Sequence, residues 1–351
     1  MAHPLKREED MAAFPAKEGI PAILKRYAPD MEGGLVDVLT AIAVSVGSIG
    51  DHLRSADADS KAGSSNAFGD HQLDVDLHTD DIIFRELKAS GAVSVAASEE
   101  KPEETDMGGS ASKCYSVAFD PLDGSSIVDA NFAVGTIVGV WPSKRLLGCR
   151  GREQVASCMS MYGPRTTMIV ALAGDVVGGD GGRGVAFELT FCPAARKWSV
   201  SRERLTIAPS GKVFAPGNLR ATADHPRYKE LFDHWVDNRY TLRYTGGMVP
   251  DVYHILMKGK GVFANVPSAS AGAKLRLLYE VAPIALIVEA AGGMSVVAPE
   301  PPSSAEEAAP ALSGAISPLD VPVDNLDRRL GVCYGGCDEA ALFNKFMFAP
   351  E

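Results

Sequence analysis

Positive charge is in short supply in this sequence. Its 34 Lys and Arg face 45 Asp and Glu, for a formal net charge of −11. Nucleic-acid binding needs clustered cations against phosphates, so that class of partner is excluded. An anionic small molecule is not, because a bound metal can invert the charge of a site. Long apolar runs are missing too. The longest, 132–141 and 281–288, fall well below the roughly 18–20 residues that cross a bilayer, so no membrane partner is expected. The six cysteines, Cys114, Cys149, Cys158, Cys192, Cys333 and Cys337, are too sparse for a disulfide scaffold and imply a reducing compartment. Cys333 and Cys337 lie in CYGGC without other ligand types beside them and read as inert thiols. The seven histidines show no ligand spacing, and His71 and His78 read as structural. The N-terminal MAHPLKREEDMAAF has no apolar h-region and is not rich in Arg and Ser. It predicts neither a secretory signal nor a transit peptide. The expected location is the cytoplasm, or a plastid stroma if a transit peptide has been removed.

What is present suits a globular protein. With 351 residues and 46% hydrophobic content, one large domain or two smaller ones can fold without disulfides or a structural metal. Leu35, Val38, Leu39, Ile42, Val46, Ile49 and Leu53 keep a helical period and predict a helix over 34–54. Thr79 is expected to cap a second helix running to about Ala89 and ending at Gly91. Strands are expected at 93–97, at 115–119 with an end at Asp120-Pro121, at 132–141 and at 166–173. Residues 55–69 read as a polar loop, 174–184 as a hairpin tip, and 298–318 as a mobile insertion rich in Pro, Ala and Ser. A junction at 208–211 divides a first domain, 1–208, from a second, 209–351. The second carries a helix at 226–237, a strand near 240–244, and an apolar helix over 275–291 interrupted by Pro283 and closed by Gly292-Gly293. Interleaved strands and helices predict a mixed α/β fold built in layers.

The chemistry concentrates in FDPLDGSS, 119–126. A buried strand delivers Asp120, Pro121 turns the chain, and Asp123 returns a second carboxylate. Two carboxylates offer hard oxygens for Mg²⁺. Gly124 lets the backbone approach an anion closely, and the N–H groups and hydroxyls of Ser125 and Ser126 can cradle phosphate, best where a helix starts. The same letters also suit a plain Asx turn with serine as helix cap. Other carboxylates favour the metal. Glu99-Glu100 follows the strand at 93–97, and Asp70 and Asp76 lie in GDHQLDVDLHTDD. Two or three Mg²⁺ ions need about this many carboxylates. The second half supplies cations and hydroxyls. Arg243 and Tyr244 lie in NRYTLRYTGGMVPD, Lys274 and Arg276 in AKLRLLYE, which ends at Glu280, and Asn218 and Arg220 in a turn. Lys and Arg at the entry to a helix are natural phosphate anchors, and equally ordinary surface charge.

In order, GDxQLxVD, SEE, FDPLDGSS, GGMVPDV and AKLRLLYE resemble the fructose-1,6-bisphosphatase family from about Val36 to Phe348. Within that family, SIVDANFAVGTIVGVW, MYGPRTT, FAPGNLRAT, YTLRYTGGMVPDV and Asn265 in GVFANV resemble the branch that acts on sedoheptulose 1,7-bisphosphate. The resemblance implies an α/β/α/β/α sandwich and a Mg²⁺-dependent hydrolase, with Mn²⁺ as an alternative ion, in a homodimer or homotetramer. The reaction it implies is loss of the 1-phosphate from the seven-carbon sugar bisphosphate. A fructose-1,6-bisphosphatase, a dual enzyme and an inactive metabolite-binding module are the alternatives. Implied metal ligands are Glu99, Glu100, Asp120, the carbonyl of Leu122, Asp123 and Glu280. Asp70 and Asp76 fall on the loop that activates water, with Asp76 and Glu100 as proton acceptors. The 1-phosphate is expected at Gly124, Ser125 and Ser126. The distal phosphate is expected at Asn218, Arg220, Tyr244 and Lys274, with Arg243 reaching in from a neighbouring subunit. Plant plastid members carry a cysteine pair just before GDxQL. The loop 55–68 has none here, so no dithiol switch is expected there. The N-terminal region does not match the AMP-binding segment of the animal members, so AMP inhibition is not expected.

Overall fold

The structure, a computed structural model, describes residues 19–55, 61–65, 71–110, 113–178, 182–300 and 315–348. Among the described residues the first helices are α1 (Ile20–Tyr27), α2 (Gly33–Ser55) and α3 (Asp74–Ser90). Between α2 and α3, β1 (Lys61–Ser65) pairs antiparallel with β2 (His71–Leu73). Then come β3 (Val93–Ser98), β4 (Thr105–Asp106), β5 (Tyr115–Asp123), β6 (Val134–Trp141), β7 (Ala156–Tyr162), β8 (Thr166–Leu172), β9 (Val185–Cys192) and β10 (Lys197–Arg202). They form one sheet of order β10-β9-β8-β7-β6-β5-β3-β4. From β5 to β10 it is an antiparallel meander, and β3 lies parallel to β5.

The remainder builds a second sheet, order β12-β11-β13-β17-β15, from β11 (Val213–Gly217), β12 (Thr241–Leu242), β13 (Val262–Asn265), β15 (Met294–Val297) and β17 (Val332–Gly335). β14 (Leu275–Arg276) and β16 (Arg329–Leu330) pair separately. The helices of this part are α4 (Pro226–Asp237), α5 (Met248–Lys258), α6 (Ala282–Ala290) and α7 (Cys337–Met347). Three apolar cores hold five layers together. One joins α1–α3 to the large sheet, one surrounds α5 and α6 between the sheets, and one joins α4 and α7 to the outer face of the small sheet. The order is therefore α/β/α/β/α, as the family resemblance implies. Every residue of β5 is buried, with Val117 and Phe119 in the first core and Ala118 in the second. A sheet covered on both faces reads as a continuous apolar run instead of an alternation.

Several local expectations need correction. α2 is, by length and composition, long enough and apolar enough to cross a membrane, yet 67% of its apolar window is buried inside the protein. It is the central helix of the first layer. Thr79 does not cap α3, which begins at Asp74. The Thr79 hydroxyl lies inside the helix and donates to the Asp76 carbonyl at 2.9 Å. β5 does not stop at Pro121 but runs on to Asp123. The strand near 240–244 is only β12. The segment 275–291 is not one helix. It opens as β14, passes through a π turn at Leu277–Val281, and becomes α6 with Pro283 in the first turn, where a missing N–H costs nothing. Residues 301–314 of the expected insertion, and 56–60 and 66–69 of the polar loop, lie outside the described residues, while 61–65 of that loop form β1. The insertion leaves and returns at one place, since the Val297 N–H donates to the Ile316 carbonyl at 2.9 Å. No disulfide joins cysteines among the described residues.

Candidate active site

The site begins with a parallel pairing. Ser98 of β3 lies opposite Phe119 of β5, and the next amide, Glu99 N–H, donates to the Phe119 carbonyl at 3.0 Å. The register thus sets Glu99 beside Asp120. The two aspartates of β5 are three positions apart and in a regular strand would face opposite sides. Here Asp120 pairs with Ile137 and Asp123 with Gly135 of β6, so β5 spends one residue more than its partner. Such a bulge returns both carboxylates to one side. It is held from within. Asp120 Oδ1 accepts the Leu122 N–H at 2.9 Å, and the Thr136 hydroxyl donates to the Pro121 carbonyl at 2.8 Å.

Glu280 arrives from the π turn, which packs against β5 and β6. Its Oε2 accepts the Arg276 N–H at 2.5 Å. Glu99, Asp120 and Glu280 each place an oxygen within 4.8 Å of the others. Burial, then repulsion from Glu99, Asp123 and Glu280, pushes the Asp120 carboxyl well above its ordinary range. Burial and Glu99 raise Glu280 likewise, against the Arg276 N–H bond. Burial lifts Asp123 to about 7 although two amides bond to it. A buried all-oxygen donor set with this much stored repulsion suits a hard divalent cation. Asp123 lies close enough to raise both Asp120 and Glu280 but is not one of the trio, and Glu100 follows Glu99 directly in the chain. Asp123 instead reaches the start of α5, accepting from Met248 N–H at 3.3 Å and Val249 N–H at 2.6 Å.

Asp76 stands in the first turn of α3 and is 2% exposed. Lys101 ties that helix to the Glu99-Glu100 turn, with Nζ 2.9 Å from the buried Asp80 and 3.0 Å from Asp81. Asp70 lies outside the described residues. Gly124 takes the left-handed conformation, φ 86°, that the DGSS turn demands. After it the chain makes one 3-10 turn, Ser125–Ile127, and not the longer helix that would best cradle a phosphate. Ser125 is half-buried and Ser126 exposed. Arg276 is also corrected. It is no outward phosphate anchor but 4% exposed, with its guanidinium on Glu99 and, at 3.0 Å, on Asp327.

The remaining expected residues share the second sheet. β12, β11 and β13 run parallel, and the loops leaving their C-terminal ends carry Arg243 and Tyr244, Asn218 and Arg220, and Lys274. Ligands of open α/β sheets bind outside such strand ends. Arg220, Arg243, Tyr244 and Lys274 are exposed. The Arg220 charge lies close enough to Tyr244 to lower its hydroxyl pKa, against a larger upward push from burial. Asn218 spends its amide nitrogen on the Val266 and Ala271 carbonyls, both at 2.8 Å, and so fastens the loop that leads to Lys274. Asp251, Asp327 and Lys101 were not anticipated from the sequence. The signal for Asp251 was a lone acid in GGMVPDV, and for Lys101 the cation directly after Glu99-Glu100.

Comparison with known proteins bears on this arrangement. Residues 23–181 match the family model Fructose-1-6-bisphosphatase, N-terminal domain, and residues 207–348 match Fructose-1-6-bisphosphatase, C-terminal domain. The chloroplastic sedoheptulose-1,7-bisphosphatase of Spinacia oleracea is 44% identical over 91% of the chain and 75% of its own length. The class 1 fructose-1,6-bisphosphatase of Geobacter sulfurreducens is 35% identical over 95% of the chain and 98% of its own. A Toxoplasma gondii crystal structure, provisionally named a sedoheptulose-1,7 bisphosphatase, superimposes with a TM-score of 0.81 at 36% identity, covering 95% of this chain and 99% of that one.

Proposed function

The chain belongs to the fructose-1,6-bisphosphatase family and is a phosphoric monoester hydrolase of sugar bisphosphates, and from that premise we propose that it removes the 1-phosphate of sedoheptulose 1,7-bisphosphate with divalent metal. The carrying observation is the convergence of Glu99, Asp120 and Glu280 within 4.8 Å. The seven-carbon substrate is supported by the 44% identity to the spinach sedoheptulose-1,7-bisphosphatase, against 35% to the Geobacter fructose-1,6-bisphosphatase.

Two or three Mg²⁺ ions, or Mn²⁺, fit the donors Glu99, Glu100, Asp120, Asp123, Glu280 and the Leu122 carbonyl. When bound, such ions neutralise the phosphate, stabilise the leaving alkoxide and acidify a water. Asp76 and Glu100 receive the proton of that water, with Asp70 on the same segment. Gly124, Ser125 and Ser126 orient the phosphate that is cleaved. Arg220, Tyr244 and Lys274 grip the distal phosphate, and Asn218 holds their loops in place. Arg243 completes the grip from a neighbouring subunit of a homodimer or homotetramer. Gripping both ends fixes the scissile bond against the carboxylates.

The test compares kcat/KM for sedoheptulose 1,7-bisphosphate and fructose 1,6-bisphosphate, with Mg²⁺ and with EDTA. The expected result is phosphate release only with the cation and a higher kcat/KM for the seven-carbon sugar. Equal rates in EDTA would overturn the metal assignment, and a preference for fructose 1,6-bisphosphate the substrate.

A further inference from the structure

α5 begins where two carboxylates meet. Its own first amides, Met248 N–H and Val249 N–H, are taken by Asp123. An acid in a first helical turn ordinarily serves the helix itself, but here that service comes from Asp123. Asp251, 2% exposed in the first turn of α5, instead receives two amides from the preceding loop. Thr245 N–H reaches Asp251 Oδ1 at 2.7 Å and Gly246 N–H reaches Oδ2 at 3.3 Å. The other end of this short loop is pinned to β11, where the Arg243 N–H donates to the Phe214 carbonyl at 2.9 Å. Arg243 and Tyr244 therefore hang between a strand and a buried carboxylate.

The helix that carries Asp251 is itself held from behind. The Tyr253 hydroxyl donates to the buried Glu188 and accepts from Thr167 at 3.0 Å. Glu188 also accepts from the Ser201 hydroxyl at 2.7 Å. A frame that fixes α5 on the large sheet at one end, and on the metal-ligand loop through Asp123 at the other, transmits that position to whatever α5 holds. We propose that Asp251 is a positioning residue for substrate, setting the loop that carries Tyr244 in register with the FDPLDGSS loop so that Tyr244 grips the distal phosphate at a fixed distance from the scissile one, while Arg243 on the same loop is presented to the neighbouring subunit's site. The inference rests on the proposed distal-phosphate clamp.

The test uses Asp251→Ala and Asp251→Asn in the full chain. Asn keeps the acceptor for Thr245 N–H but opposes an amide donor to Gly246 N–H. The readouts are steady-state kcat and KM with Mg²⁺, calorimetric binding of sedoheptulose 7-phosphate and fructose 6-phosphate, which carry only the distal phosphate, and the melting temperature. Losing charge-assisted bonds to the loop should raise KM and weaken monophosphate binding by about tenfold in Asp251→Ala, with Asp251→Asn in between. kcat should stay within about threefold, because the interaction acts on binding in ground and transition states alike. A lower melting temperature with unchanged monophosphate binding would overturn the proposal and leave Asp251 a structural acid. A fall in kcat at constant KM would overturn it as well. Binding of neither monophosphate by the wild-type protein would instead overturn the clamp reading itself, and this proposal with it.

Discussion

Asp120 is buried among carboxylates whose repulsion raises its pKa. Its other oxygen contact, the Leu122 N–H at 2.9 Å, needs only an acceptor. Asn can supply that acceptor without the charge. Buried charge close to its own sign is destabilising in proportion to how poorly it is compensated. Asp120→Asn should therefore stabilise the protein in EDTA at pH 8 by about 1–2 kcal/mol, a common gain when a functional strain is relieved. It should also lower kcat by about 10²–10³ or more, since charge aimed at the reacting group is lost. Thermal melting in EDTA and phosphate release in Mg²⁺ measure the two effects. A loss of stability without metal would mean that Asp120 serves the fold. The pairing of Glu99 with Asp120 was legible as two acidic segments after two strands. The Asp123 bonds to α5 and the inward turn of Arg276 were not, because both depend on contacts more than 100 residues away in sequence.

Among the elements, α2 could be read from its period and stands within a residue of expectation, and α4 matches its expected bounds. β7, ASCMSMY, carried no such sign, because both its faces are covered and its serines are buried among them. The Ser157 hydroxyl donates to the Val138 carbonyl at 3.1 Å and the Pro283 carbonyl at 2.8 Å. The run 275–291 misled for the opposite reason, since continuous apolarity fits strand, π turn and helix alike. How closely α5 sits on the large sheet is set by Gly135, which pairs with Asp123. A Cβ there would lie 2.3 Å from Val249 Cγ1 and 2.5 Å from the Ser160 carbonyl oxygen. Neither neighbour can retreat without moving a helix or a strand. Gly135→Ala should cost about 1–3 kcal/mol through overpacking and raise KM by carrying α5 away from Asp123. Gly33→Ala is the control, with nothing within 4 Å of its added carbon. If Gly135→Ala melts with the wild type and keeps its KM, the close approach of α5 does not govern the site.

For the whole molecule, the five layers bury the carboxylate cluster at the junction of the large sheet, α5 and the π turn, and stability becomes linked to protons and metal. The unfolded chain titrates these groups near their ordinary values of 3.8 and 4.5, whereas the folded protein holds Asp123 up to about 7 and Asp120 and Glu280 well above their ordinary range. Between those limits the native state binds more protons than the unfolded one, so stability must fall as pH rises through the window. The opposite contribution comes from Asp320, held down mainly by its bond to Arg152. It is lost only on the acid side, below the ordinary Asp range. A divalent cation replaces the protons, so its apparent affinity and the stabilisation it confers grow with pH. Melting curves in EDTA should move to lower temperature from about pH 5 to pH 8. Saturating Mg²⁺ should restore more stability at pH 8 than at pH 6. In Asp120→Asn, with one carboxylate gone, the slope in EDTA should flatten. Parallel curves with and without Mg²⁺ across this range would mean that the cluster holds no cation, and that the raised carboxyls of Asp120 and Glu280 are a cost of the fold alone.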